Sequence, residues 1–171
     1  MKAEELKTLQ APLKERYRQQ PDAALVTLKA EGRLGEGVSC KVATSKAMIE
    51  AGLHPATGGD GLMACSGDML LEALVACAGV TLSAVANAIG VEVKTGTVRA
   101  EGDLDFRGTL GVSKEAPVGF GAIRLHFDLE TNASAEQLAT LLKLTERYCV
   151  VLQTLQKPAA ITNRIKGTKG G

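Results

Sequence analysis

The alternation of apolar and polar positions divides the chain into elements. Over residues 3–19, Leu6, Leu9, Leu13 and Tyr17 recur at three- and four-residue spacing with Lys, Glu and Arg between them, which predicts an amphipathic helix. Pro12 marks a kink or a restart, and Pro21-Asp22 ends the helix. A period of two follows. Val26 and Leu28 alternate with Thr27 and Lys29; Val38, Cys40 and Val42 alternate with Ser39 and Lys41. Both patterns predict strands, at 24–31 and 37–44. The stretch Glu31-Gly32-Arg33-Leu34-Gly35-Glu36-Gly37 between them reads as a hairpin connector. Residues 45–53 fit a third strand or a helical turn. His54-Pro55-Ala56-Thr57-Gly58-Gly59-Asp60-Gly61 reads as a flexible connector; it is glycine-rich, but no Gly-Lys-Ser/Thr follows, so it is not a P-loop.

Residues 67–90 carry the strongest signal. Ser66 or Asp68 suits the helix start, and Gly90 suits its stop. Between them Glu72 is the lone charge in a long apolar run. A helix apolar on all sides either crosses a membrane or lies buried within protein. The many alanines are only weakly hydrophobic, Glu72, Ser83 and Asn87 are costly in lipid, and no aromatic belt flanks the run. The reading is therefore a buried helix and no membrane partner. One small sheet covers one face of such a helix; a second layer from a partner subunit covers the rest, so a homodimer is expected.

The remainder alternates again. Val91, Val93, Thr95, Thr97, Arg99, Glu101 and Leu104 punctuate a strand over 91–106, with a break expected near Gly96 or Gly102. Residues 107–117 read as a loop. In the strand at 119–130, Ile123, Leu125, Phe127 and Leu129 share one face, and Arg124, His126 and Asp128 the other, which makes His126 a solvated surface histidine. A helix is predicted over 134–156: Ser134 with Gln137 matches a capping box, and Leu138, Leu141, Leu142, Thr145, Tyr148 and Cys149 line one face. Ile161-Thr162-Asn163-Arg164-Ile165 reads as a final edge strand, ahead of a disordered tail at 167–171. The order specifies an α+β fold with a mainly antiparallel β-sheet, as a single domain over 1–171 in which 1–21 form the N-terminal helix. The basic tail reads as solvated, not as an anion-binding patch.

Composition narrows the chemistry. The chain has 171 residues, enough to hold a core without a disulfide or metal. Hydrophobic residues make up 45% but aromatics only 3%, so the core is aliphatic and alanine-rich. Lys and Arg number 20 against 19 Asp and Glu, which argues against a nucleic-acid partner. Four cysteines stand at 40, 65, 77 and 149 without a Cys-x-x-Cys, and with only His54 and His126 beside them no zinc-ligand spacing exists. No metal and no bound cofactor are expected. Met1 to Lys14 is charged rather than apolar, so a cytoplasmic location is expected, where cysteines are free thiols or a redox pair.

Taken singly, Cys40 reads as a buried small hydrophobe on its strand. Cys65 sits in a polar stretch with no activating neighbour. Cys77 lies in the middle of the apolar helix, nine residues and roughly 13 Å from its N-terminus, and gains nothing from that terminus directly. Cys149 follows Arg147-Tyr148. By composition Cys77 is a core residue. A reactive Cys77 requires a cation brought in by the fold.

The stretch Gly58-Gly59-Asp60-Gly61 followed by Cys65-Ser66-Gly67-Asp68-Met69-Leu70-Leu71-Glu72-Ala73-Leu74-Val75-Ala76-Cys77-Ala78-Gly79-Val80-Thr81-Leu82 resembles the OsmC/Ohr family. That family shows a Gly-Gly loop, a Leu-Leu-x-Ala-Leu-x-x-Cys helix and a second cysteine in a later helix, as in Glu146-Arg147-Tyr148-Cys149. Its order of elements matches roughly residues 22–166. The resemblance implies an OsmC-like fold, an intertwined homodimer whose long helices are buried between sheets of both chains. It also implies a thiol peroxidase acting on organic hydroperoxides or hydrogen peroxide. Cys77 is then the peroxidatic thiol and Cys149 the resolving one, with an external dithiol protein as reductant. Arg33, in Glu-Gly-Arg-Leu-Gly, matches the family's arginine, and Asp68 matches its carboxylate partner with one methylene fewer; Glu72 is the alternative partner. Ser66-Gly67 in place of Ser-Pro, and Val150 in place of a proline after the second cysteine, mark a divergent subgroup. The rival reading is a non-catalytic or small-ligand-binding homodimer of the same fold.

Overall fold

The computed structural model describes residues 48–111 and 113–167, the backbone of strands at 31–34 and 39–43, and Glu4, Thr8 and Gln19. The N-terminal helix as a unit, the strand expected over 24–30, the side chains of Arg33 and Cys40, and residues 168–171 lie outside the described residues.

Strands β1 (Glu31–Leu34), β2 (Ser39–Ala43), β3 (Met48–Gly52) and β4 (Ala64–Cys65) form one sheet in that order. β1 pairs antiparallel with β2, setting Arg33 opposite Lys41, so the first strand occupies residues expected to be connector. β3 resolves the ambiguous segment as a strand antiparallel to β2, and β4 pairs parallel with β3. The expected connector from His54 is a hydrogen-bonded turn. The His54 carbonyl accepts from Thr57 N–H at 2.8 Å and Gly59 N–H at 3.1 Å, and its Nδ1 accepts from Ala56 N–H at 3.0 Å. Gly58, at φ +93°, takes a left-handed conformation that glycine adopts without strain.

Helix α1 (Ser66–Ile89) follows β4 directly. Its N-cap is Cys65, which makes no side-chain cap bond; Ser66 and Asp68 fall inside the first turn, so neither is the cap the sequence suggested. Asp68 there complements the positive end of the helix dipole. Gly90 ends the helix at φ +71°, as expected.

β5 (Val93–Leu104) and β6 (Phe120–Thr131) form a long antiparallel pair. β5 runs through Gly96 and Gly102 without breaking; its irregularities fall between Val93 and Thr95 and between Asp103 and Leu104. Both glycines instead make room for a cross-strand neighbour. A Cβ at Gly96 would lie 2.7 Å from Leu129 Cδ2, and one at Gly102 would lie 2.5 Å from Phe120 Cε1. The outward face carries ion pairs, Arg124 holding Asp103 at 2.5 and 2.7 Å and Arg99 pairing with Asp128; His126 is exposed among them. The inward face, Ile123, Leu125, Phe127 and Leu129, is half-buried. The loop between the strands contains a short helix, α2 (Phe106–Thr109), whose Phe106 ring stacks on His54 at 4.9 Å.

The expected helix over 134–156 is two helices. α3 (Ala135–Tyr148) begins at Ser134, whose hydroxyl accepts from Gln137 N–H while Gln137 Oε1 accepts from Ser134 N–H. Cys149 leaves helical conformation at ψ 107°, and α4 (Val150–Gln156) starts immediately after it. Of the face drawn on this helix, Leu141, Thr145 and Cys149 are buried, while Leu138, Leu142 and Tyr148 are exposed. Residues 161–165 are not a strand; Ile161 and Ile165 are exposed.

Two apolar clusters hold the elements together. Leu82, Val85, Ala86, Val91 and Leu141 join the end of α1 to α3. Leu74, Ala78 and Cys149 join the middle of α1 to the α3–α4 junction, with Val98, Ile123 and Leu125 of the β5–β6 pair packed against them.

Candidate functional site

The second cluster brings Cys77 and Cys149 together. Cys77 occupies the α1 face that carries Leu74 and Ala78, because positions three and four apart on a helix share a face. Cys149 is fully buried; Cys77 is half-buried; both are free thiols packed in the same cluster.

The break in the helix supplies the site's donors. Cys149 N–H bonds the Thr145 carbonyl at 2.9 Å, and Gln153 N–H bonds the Cys149 carbonyl at 2.9 Å. The amides of the first turn of α4 lie between these two bonds and have no partner within that helix. Those of Val150 and Val151 favour charge on the Cys77 sulfur, and those of Val151 and Leu152 act in the same sense on Cys149. Across the break, Gln153 Nε2 donates to the Glu146 carbonyl at 2.8 Å.

The two thiols are shifted in opposite directions. Burial is the largest influence on Cys77 and pushes it up, but the amides of Val151 and Val150, the Cys149 thiol and the Thr81 hydroxyl together outweigh it and hold Cys77 below the ordinary thiol range. Burial also dominates at Cys149 and pushes it up; the Leu152 amide opposes this, and the neighbouring Cys77 sulfur adds to it. The arrangement therefore favours charge on Cys77 and a proton on Cys149. A sulfur stabilised as thiolate is the nucleophilic form, and a protonated thiol in contact with it is placed to form a disulfide after oxidation.

The other residues singled out in the sequence are not gathered here. Asp68 is nine residues before Cys77, roughly 13 Å along the axis and on the opposite side of α1. It is exposed and lines a separate cavity of about 380 Å³ with His54, Cys65 and Phe120. Cys65 is half-buried at that cavity rather than free in solvent. Glu72 is exposed, on a different side of α1 from Cys77. The Arg33 side chain lies outside the described residues. The amides of Val150 and Val151 and the hydroxyl of Thr81 escaped the sequence reading. Thr81 had a signal, its i+4 spacing from Cys77; the amides had none, because neither glycine nor proline marks the break at Cys149.

The family model for OsmC-like proteins matches residues 59–163. No curated protein sequence matches this chain. Among solved structures, an OsmC-like protein from Mycoplasma pneumoniae superposes with a TM-score of 0.65 at 17% identity, covering 78% of this chain and 89% of that one. An organic hydroperoxide resistance protein from Elizabethkingia anophelis gives 0.62 at 17% identity, covering 79% and 91%. The organic hydroperoxide resistance protein OsmC from Legionella pneumophila gives 0.61 at 17% identity, covering 78% and 92%. At such identities the superpositions establish the shared fold. Together with a family match that spans more than half of the chain, they place this protein in the OsmC-like family.

Proposed function

We propose that the protein is a cysteine-based peroxidase that reduces organic hydroperoxides or hydrogen peroxide. The observation that carries this reading is the Cys77 thiol, held below its ordinary range by the first amides of α4 and in contact with the protonated Cys149. The Cys77 thiolate attacks the distal peroxide oxygen. The O–O bond breaks, the alkoxide leaves and takes a proton to become an alcohol, and Cys77 becomes a sulfenic acid. The Cys149 sulfur then attacks the Cys77 sulfur, losing its proton, and water leaves as the disulfide forms. An external dithiol protein reduces that disulfide by exchange and is itself oxidised to a disulfide. The apolar packing around the pair, Val98, Ile123 and Leu125, suits an organic hydroperoxide.

Arg33 and Asp68 belong to the same reading, the guanidinium beside the thiolate and the carboxylate as its partner; Asp68 lies roughly 13 Å along α1 from the Cys77 of its own chain, so the reading calls for a second chain to bring a carboxylate nearer. A homodimer supplies it. It also accounts for α1, which is long and apolar enough to cross a membrane yet has only 28% of its most apolar stretch buried within one chain. Free thiols at the described cysteines fit the reducing cytoplasm.

The test is peptide mapping of the reduced protein after one equivalent of tert-butyl hydroperoxide. The expected product is a Cys77–Cys149 disulfide in the wild type and a sulfenic acid at Cys77 in Cys149→Ser. Neither product forming would leave the non-catalytic, small-ligand-binding homodimer as the reading of the fold.

A further inference from the structure

α3 and α4 meet at Cys149, yet no residue there forces them apart. In an unbroken helix the Glu146 carbonyl would receive the N–H of Val150, four residues on. Cys149 stands between the two at φ −72° and ψ 107°, outside helical conformation, and α4 starts afresh after it. The Glu146 carbonyl is therefore one of those that the last turn of a helix leaves without an internal partner. Gln153 satisfies it from α4, its side-chain Nε2 donating at 2.8 Å. The same residue holds the other side of the break, its N–H donating to the Cys149 carbonyl at 2.9 Å. Cys149 N–H in turn closes α3 on the Thr145 carbonyl at 2.9 Å. Gln153 thus clamps the backbone on both sides of Cys149.

We propose that Gln153 is a positioning residue for Cys149: its side-chain amide replaces the Val150 N–H on the Glu146 carbonyl and holds open the break that packs Cys149 against the α1 face of Leu74 and Ala78, beside Cys77. The proposal rests on the reading of Cys77 and Cys149 as a redox pair, but it concerns their placement, not the peroxide. Two arrangements compete for one acceptor. In the broken form Gln153 occupies the Glu146 carbonyl. In the continuous form Val150 occupies it, and ψ of Cys149 turns through roughly 150° to its helical value. That turn swings Val151, Leu152 and Leu155 of α4 off the cluster that holds Cys149. The packing of those three side chains also favours the broken form, so loss of the Gln153 bond shifts the balance without dismantling the site.

The experiment equilibrates the full-length protein with mixtures of reduced and oxidised glutathione and quantifies the Cys77–Cys149 disulfide by mass spectrometry. The two thiols give two electrons and two protons to glutathione disulfide, which becomes two glutathione thiols. The ratio at equilibrium measures the effective concentration of one sulfur at the other. Gln153→Leu removes the donor. Val150→Pro, tested alone and with Gln153→Leu, has no N–H with which to close the continuous helix, and its ring suits the first position of α4. The expected result is an effective concentration about two- to fivefold lower in Q153L than in the wild type, and no further loss when Q153L is added to V150P. An unchanged value in folded Q153L overturns the proposal, as does an equal loss in both backgrounds. If circular dichroism shows V150P unfolded, Gln153→Lys, which keeps a donor, takes its place; a loss that Q153K shares overturns the proposal. Parallel oxidation with tert-butyl hydroperoxide separates the two ideas. A lowered value in Q153L with no oxidation of wild-type Cys77 by the hydroperoxide keeps Gln153 and removes the peroxidase. Oxidation by the hydroperoxide with an unchanged value in Q153L does the reverse, and a wild type that forms no Cys77–Cys149 disulfide with either oxidant removes both.

Discussion

Charge at the two buried sulfurs is divided unequally, and the division sets a pH dependence. Because Cys77 is held below the ordinary thiol range and Cys149 is pushed above it, a pH window exists in which the first is ionised and the second is not. Within that window peroxide should oxidise Cys77 first, and the rate should be nearly flat. As pH falls through the lowered Cys77 midpoint, the thiolate fraction falls about tenfold per unit and the oxidation rate falls with it. A stopped-flow pH series on the Cys149→Ser variant, which isolates the first step, checks the sign. A rate that climbs only above the ordinary thiol range would contradict it. At this scale the sequence pointed to Cys77 and Cys149 through the family motif around Leu70-Leu71-Glu72-Ala73-Leu74. It could not reveal what tunes them. Apart from Cys149 and Thr81, the groups that lower Cys77 are backbone amides about seventy residues further on, which carry no side-chain signature.

Elements were most legible where a local interaction writes them. The capping box at Ser134 and Gln137 is such a case, because hydroxyl and side-chain amide each accept from the other residue's backbone N–H, three positions away. Ser134→Ala should therefore lower stability by about 1 kcal/mol, seen as a lower denaturant midpoint with an unchanged slope. Little effect would mean that α3 is fixed by Leu141 and the core alone. The alternating faces of β6 were legible for the same reason: strand period is a local property. The division of the last helix at Cys149 was not, since Val150 and Val151 continue an acceptable helical pattern and neither glycine nor proline marks the break. The strand read at 161–165 rested on two isoleucines alone, and among the described residues no neighbouring strand pairs with them.

For the whole molecule, the balance of exposed apolar surface predicts association. Val80 on α1 is 73% exposed, and a single folded chain seldom leaves the middle of so apolar a helix in water. Sedimentation of the wild type should give twice the chain mass, and Val80→Glu should shift the distribution toward monomer. A wild type that stays monomeric at micromolar concentration would remove the dimer. The α+β class was legible from the chain's patterning, whereas the split of the described strands into a four-stranded and a two-stranded sheet was not, because pairing partners are chosen by tertiary contact. The meeting of Cys77 with Cys149 has a further consequence at this scale. Between them lie β5, β6 and α3, so a bond joining the two sulfurs turns nearly half the polypeptide into a closed ring. Ring closure over about seventy residues removes about 4 kcal/mol of conformational freedom from the unfolded chain in the simple chain-entropy account. The same free energy appears in the reverse sense as chemistry: native packing holds the sulfurs at a high local concentration, and a disulfide formed there is a weaker oxidant than the same pair in the unfolded polypeptide.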